Sequence, residues 1–201
     1  MHIKNICNRI FLTLALLVNT IVCAKFDLKK DQTISFVGSG MGSRMVHYGH
    51  FETEIFLRYP TLNLTIRNLC DEGNTPGFRP HPSREQDGQY AFPGAEDLIH
   101  DQLKAKTKPK GHFDTPDQWL SKVKSDVILC FFGFNSSFDG PRQLNRFKLE
   151  LDAFLKHTIK QKYNGKSAPF VALVSPTAVQ EISGVTSGQS QNRNLQTYVD
   201  G

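Results

Sequence analysis

In the stretch Asp126-Val127-Ile128-Leu129-Cys130-Phe131-Phe132, six of seven residues are apolar and no polar/apolar alternation is present. A strand of that kind is covered on both faces, which is the situation of a parallel sheet sandwiched between helices. Downstream, Leu144, Phe147, Leu151, Phe154, Leu155 and Ile159 fall on one helical stripe, and Asn164-Gly165 supplies a stop. Phe170-Val171-Ala172-Leu173-Val174 then reads as the next strand. Upstream, Thr33-Ile34-Ser35-Phe36-Val37 is a first strand, broken by Gly38-Ser39-Gly40-Met41-Gly42. A helix is predicted over 44–59, with Tyr48, Phe51, Ile55 and Tyr59 on one face and Pro60 at its end, followed by a second strand over 62–66. Strands alternating with helices predict an α/β fold, a three-layer α/β/α sandwich on a parallel, flavodoxin-like sheet.

The stretch 75–115 is rich in Pro, Gly and His and is predicted to be an excursion over the sheet edge, with a short helix near 96–106. Thr115-Pro116-Asp117 is a helix start with Pro in its first turn, and Trp119 just after it is expected in the core. The closing stretch 183–194 reads as polar and turn-like. No internal repeat is visible.

Residues 1–24 have the form of a secretory signal: Lys4 and Arg9, an apolar run over 10–18, and Val22-Cys23-Ala24 before a cut. The apolar run is too short for a comfortable membrane span. The expectation is a secreted or periplasmic protein with no membrane span after cleavage and one domain over 25–201. Without Lys4 and Arg9 the formal charge of +5 falls to about +3, which argues against nucleic acid as a partner. Cleavage also removes Cys7 and Cys23, leaving Cys70 and Cys130, too few for a disulfide framework; Cys130 is expected as a buried thiol. No CxxC, CxxCH or HExxH pattern occurs, so neither a metal nor another cofactor is expected. The glycine-rich turn lacks both the P-loop Lys-Ser/Thr and a dinucleotide fingerprint.

In a parallel sheet, ligands sit beyond the carboxyl ends of the strands. The chain there reads Val37-Gly38-Ser39-Gly40-Met41, Asn68-Leu69-Cys70-Asp71-Glu72-Gly73-Asn74-Thr75, and Phe132-Gly133-Phe134-Asn135-Ser136-Ser137. A hydroxyl on a tight turn, a glycine amide and an asparagine amide are the parts of an acyl-transfer site: a nucleophile and two donors for a developing oxyanion.

These three loops resemble, in order, the first three blocks of the SGNH (GDSL-type) hydrolases. Phe131 through Phe138, and the run from His157 to Pro176 with Lys162-Tyr163-Asn164-Gly165-Lys166-Ser167-Ala168-Pro169, look like a branch found in large secreted or periplasmic proteins of planctomycetes and their relatives. In that branch an SGNH-like domain can precede further modules, so appended domains beyond residue 201 are expected. The resemblance implies hydrolysis of a small ester or a carbohydrate ester, with Ser39 as the candidate nucleophile and with Gly73 and Asn135 forming the oxyanion hole. Aligned on Gly38, however, Ser39 falls at the family's aspartate position and Gly40 at its serine position. The fourth block, Asp-x-x-His, does not follow the fourth strand; Asp97-Leu98-Ile99-His100 has the spacing but the wrong place in chain order. The alternative is a non-catalytic SGNH-like module that binds a glycan or a partner. Arg79, His81 and Arg84 are read as a solvated loop, and His47 and His50 as surface or packing residues.

Overall fold

The computed structural model describes residues 26–79, 89–97, 114–184 and 187–201. The leader over 1–24, the Pro-rich His81 and Arg84, most of the short helix expected near 96–106, and His100 lie outside those residues. Strands β1 (Thr33–Gly38), β2 (Thr65–Asn68), β5 (Val127–Phe131) and β6 (Phe170–Leu173) form a parallel sheet in the order β2-β1-β5-β6. The short strands β3 (Phe78–Arg79) and β4 (Gln89–Tyr90) pair antiparallel as a separate ribbon. Helices α1 (Met41–Arg44), α2 (His50–Arg58), α3 (Pro116–Lys122), α4 (Phe134–Ser137), α5 (Leu144–Thr158) and α6 (Gly188–Asp200) complete the described elements, with 3-10 turns at Met45–His47, Ala95–Asp97 and Pro141–Gln143. The fold is α/β, as the sequence predicts.

Side-chain alternation along β1 and β5 separates two cores. Ile34, Phe36, Val127 and Phe131 face Met41, Met45, Phe51 and Ile55 of the α1–α2 region. Ile128, Cys130 and Phe132 face Leu120 of α3, Phe147 and Phe154 of α5, and Tyr198 of α6. Both faces of β5 are therefore covered, which explains its unbroken apolar run. Each fully buried large side chain, such as Phe36 or Ile128, contributes about 1.5–3 kcal/mol. One polar pair interrupts the second core: the Ser125 hydroxyl meets that of Ser35 at 2.8 Å, so neither is left unpaired.

Four expectations need correction. The single helix over 44–59 is two pieces, because Gly49 adopts a left-handed conformation (φ 56°) at the start of α2. Phe51 and Ile55 pack inward, while Tyr48 and Tyr59 are exposed. The second strand begins at Thr65 rather than 62, since Asn63 turns through a positive φ and donates its amide to Asp31. Trp119 is 38% exposed with Lys122 over its ring; its neighbour Leu120 is the core residue. The stretch 183–194 is turn-like only at its start, Ser183–Gly184; from Gly188 onward it is the first half of α6, whose polar side chains are bound to fixed partners. The Asn192 amide exchanges two hydrogen bonds with the Val179 backbone, Glu181 accepts from the Gly188 N–H, and Gln191 donates to the Ser137 hydroxyl at 2.7 Å. Leu195 and Tyr198, beyond that stretch, bury the same face.

The Thr115 start is as the sequence implies, with a reciprocal capping box between Thr115 and Gln118. Asp117 in that first turn accepts from the Tyr163 hydroxyl at 2.7 Å and lies 2.6 Å from His157 Nε2. This three-residue knot joins α3 to the end of α5 and the turn after it.

Candidate functional site

The sheet order places β1 between β2 and β5, so the chain leaves β1 toward one side and later returns on the other. The carboxyl ends of β1 and β5 therefore border the topological switch point. The turn after β1 is held tightly there. Ser39 N–H donates to the Phe131 carbonyl at 2.9 Å, Gly42 N–H to Ser39 O at 3.0 Å, and the Ser43 hydroxyl to Gly40 O at 2.9 Å. Gly38 has φ 123°, and a Cβ there would collide with the Phe131 backbone. The loop after β2 is tied to the same turn: Asp71 N–H and the Asn74 side-chain amide both donate to the Gly38 carbonyl.

An open cleft of about 470 Å³ lies over these strand ends, lined by Gly40, Met41, Arg44, Glu72, Phe134, Asn135 and Thr177. Its lining comes from the segments following β1, β2, β5 and β6. Asn135 sits in the first turn of α4, two residues after Gly133, and lines this cleft together with Gly40. Ser39 lines a narrower recess, which shares Met41, Phe134 and Thr177 with the cleft wall. Its side chain is 1% exposed, and its Oγ is buried with no hydrogen-bond partner. Gly73, next to the cleft residue Glu72, is exposed with φ 88°.

A second, smaller cavity of about 30 Å³ lies on the other side of the β1 end, among Val37, Asn74, Arg79, Asp117 and Phe132. It is of a size for ordered water. Asn74 Oδ1 is buried without a partner in its wall. Arg79, read from the sequence as a solvated loop residue, is partly buried here, and that burial lowers its guanidinium pKa against the opposing effect of Asp71. Three further groups line neither space. Burial pushes the Cys70 thiol far up and the Cys130 thiol to about 12, so both are inert as thiolates. Glu150 on α5, 7% exposed, is pushed up to about 7 by burial, against hydrogen bonds from Thr75 and Gly77.

The sequence reading thus names one residue of the open cleft, Asn135, and one of its recess, Ser39. It passes over Arg44, Glu72 and Thr177. Arg44 and Glu72 are paired at 2.8 Å across the mouth. Nothing in their local sequence distinguishes them from any surface charge; only the sheet order brings them together. Among the described residues, no group of three or more His, Cys, Asp or Glu is placed to hold a metal ion, and no helix is long and apolar enough to cross a membrane.

No family model and no curated protein matches the chain. Among solved structures, it is similar to a gut microbial diltiazem-metabolizing enzyme, with a TM-score of 0.48 and 12% identity. The match covers 87% of this chain and 34% of the other, so the chain spans about a third of that enzyme's length.

Proposed function

We propose that this chain is an exported SGNH-type module that hydrolyses a small ester or an acylated carbohydrate at the strand-end cleft. The observation that carries the reading is the cleft itself: it is built by loops from all four parallel strands, and Asn135 stands at its wall with the unpartnered Ser39 hydroxyl in the adjoining recess. In this reading Ser39 Oγ attacks the ester carbonyl after the Gly38–Gly40 turn shifts to open the recess. The Asn135 amide and the Gly73 N–H receive the oxyanion, and a base outside the described residues takes the serine proton. Collapse of the tetrahedral intermediate expels the alcohol, which takes that proton back from the base, and water then attacks the acyl-serine to release the acid.

A second reading is a binding module without turnover. It is favoured by Gly40, which lines the open cleft with no side chain, and by Ser39, which is only 1% exposed. Turnover of p-nitrophenyl acetate by the full chain and by Ser39→Ala separates the two. Hydrolysis predicts a loss of about a hundredfold or more in the variant. Equal rates remove Ser39 as nucleophile, and no turnover by either protein leaves the binding reading.

A further inference from the structure

Two neighbouring side chains of α6 bind two different segments of the strand-end cleft. Gln191 donates its amide to the Ser137 hydroxyl at 2.7 Å, and that hydroxyl donates to the Phe134 carbonyl at 2.6 Å. Both side chains are buried, so solvent does not compete for this relay. The Asn192 amide meets the Val179 backbone twice, accepting at 2.7 Å and donating at 2.9 Å, as a neighbouring strand would. Both segments need such support. α4 is only four residues long and has no side-chain cap, and a single turn of helix does not hold itself in water. It carries Phe134 and Asn135, which line the cleft. Thr177, also in the cleft wall, belongs to the irregular segment that follows β6. Phe134 and Thr177 line the recess of Ser39 as well, so the same two segments border its entrance. α6 is docked closely enough to act on both. A Cβ at Gly188 would fall 2.8 Å from the Glu181 backbone nitrogen, and the Tyr198 hydroxyl donates to the Gly140 carbonyl shortly past α4.

We infer that α6 is a clamp on the cleft: Gln191 sets the position of Asn135 through Ser137 and the α4 backbone, and Asn192 sets that of Thr177 through Val179. Neither residue lines the cleft, so both are positioning residues. The inference rests on the strand-end cleft being the ligand site and adds what controls its geometry. The two links act separately. Without the Gln191 donor the Ser137 hydroxyl can turn away from the Phe134 carbonyl, which loosens the first turn of α4 while Asn192 still holds Val179. Without Asn192 the segment carrying Thr177 loosens, and the Gln191 relay stays closed.

The test reads the two segments separately by NMR of the full chain. The Asn135 side-chain amide is assigned through Asn135→Asp and the Thr177 methyl through Thr177→Ser. Gln191→Leu keeps the bulk and removes the donor; it should shift or broaden the Asn135 amide signals and leave the Thr177 methyl in place. Asn192→Leu should do the reverse, with Asn192→Asp, which keeps only the acceptor, as its milder form. Ser137→Ala cuts the same relay as Gln191→Leu, so it should reproduce that pattern, and the double variant should add nothing further. If Gln191→Leu does not fold, Ser137→Ala decides. Both signals moving together, neither signal moving, or loss of the fold in both relay variants would overturn the clamp. Turnover of p-nitrophenyl acetate is scored beside it. Gln191→Leu should lower kcat about tenfold with KM nearly unchanged, because an oxyanion donor acts in the transition state. Absence of turnover in the wild type removes only hydrolysis, and turnover with an unmoved Asn135 amide in Gln191→Leu removes only the clamp.

Discussion

The side-chain amide of Asn74 donates to the carbonyl of Gly38 across 3.0 Å, in a position where both are screened from solvent. One hydrogen bond thereby fixes the loop after β2 to the turn after β1, the two segments that shape one side of the cleft. Replacing Asn74 by Ala leaves that carbonyl with the Asp71 N–H alone. The variant should lose about 1–3 kcal/mol of unfolding free energy in a urea titration. It should also lose activity or ligand affinity at the cleft, because the loop position is no longer set.

Gly38 and Gly49 both have positive φ, yet they should respond differently to substitution. A Cβ at Gly38 falls on the Phe131 carbonyl, between two hydrogen-bonded strands, whereas a Cβ at Gly49 meets nothing within 4 Å. Gly38→Ala should cost about 3 kcal/mol or more or fail to fold, while Gly49→Ala should cost about 1–2 kcal/mol. Thermal melts of the two proteins measure the contrast.

Ser39 offers a test that does not depend on finding a substrate. A buried hydroxyl without a partner has lost its water and gained nothing in exchange. Ser39→Ala should therefore leave stability unchanged or raise it by up to about 2 kcal/mol. A clear loss of stability in chemical denaturation would mean that the hydroxyl has a partner in solution.

Glu150 links folding to pH. Its folded pKa is raised to about 7, so the native state holds this proton more tightly than the unfolded chain does. The contribution to stability is complete below the ordinary carboxyl range and fades as pH rises through about 7. Glu150→Gln keeps an acceptor for Thr75 and Gly77 but cannot ionise. The variant should gain on the wild type as pH goes from 5 to 8 in parallel urea melts. A constant difference across that range would show that the carboxyl does not titrate there.

The export signal proposed for residues 1–24 predicts one simple outcome in cells. Expressed with its own N-terminus in a bacterium, the protein should appear in the exported fraction with Lys25 as its first residue, read by N-terminal sequencing or intact mass. Cytosolic protein beginning at Met1 would refute export.

The sheet was legible because β5 and β6 are short apolar runs, β1 carries Ile34, Phe36 and Val37 ahead of a glycine stop, and the α5 stripe keeps a helical period from Leu144 to Leu155; Ile159, expected on that stripe, lies past the helix end and is exposed. What escaped was decided at single residues or at long range. Gly49 splits one apparent helix through its φ alone, and Asn63 delays β2 by a side-chain bond to Asp31, a partner 32 residues away. The entry into α6 looks like a polar turn because Gln191 and Asn192 spend their amides on Ser137 and Val179, contacts that no local pattern announces. At the site, Asn135 was visible through the motif around it. Arg44, Glu72 and Thr177 were not, since their significance comes from three separate segments meeting over one sheet edge.

The register of β1 against β5 has a kinetic side. Thr33 N–H donates to the Asp126 carboxylate at 2.8 Å although the two are 93 residues apart, and the pairing of Ile34 with Val127 continues from there. Closing a loop of that length costs about 4 kcal/mol in chain entropy before any contact is gained. A chain emerging from the ribosome therefore cannot complete the centre of its sheet until well past its midpoint. Folding should be slow, on the scale of milliseconds to seconds, with one hydrogen-bonding edge of β1 unpaired until β5 arrives.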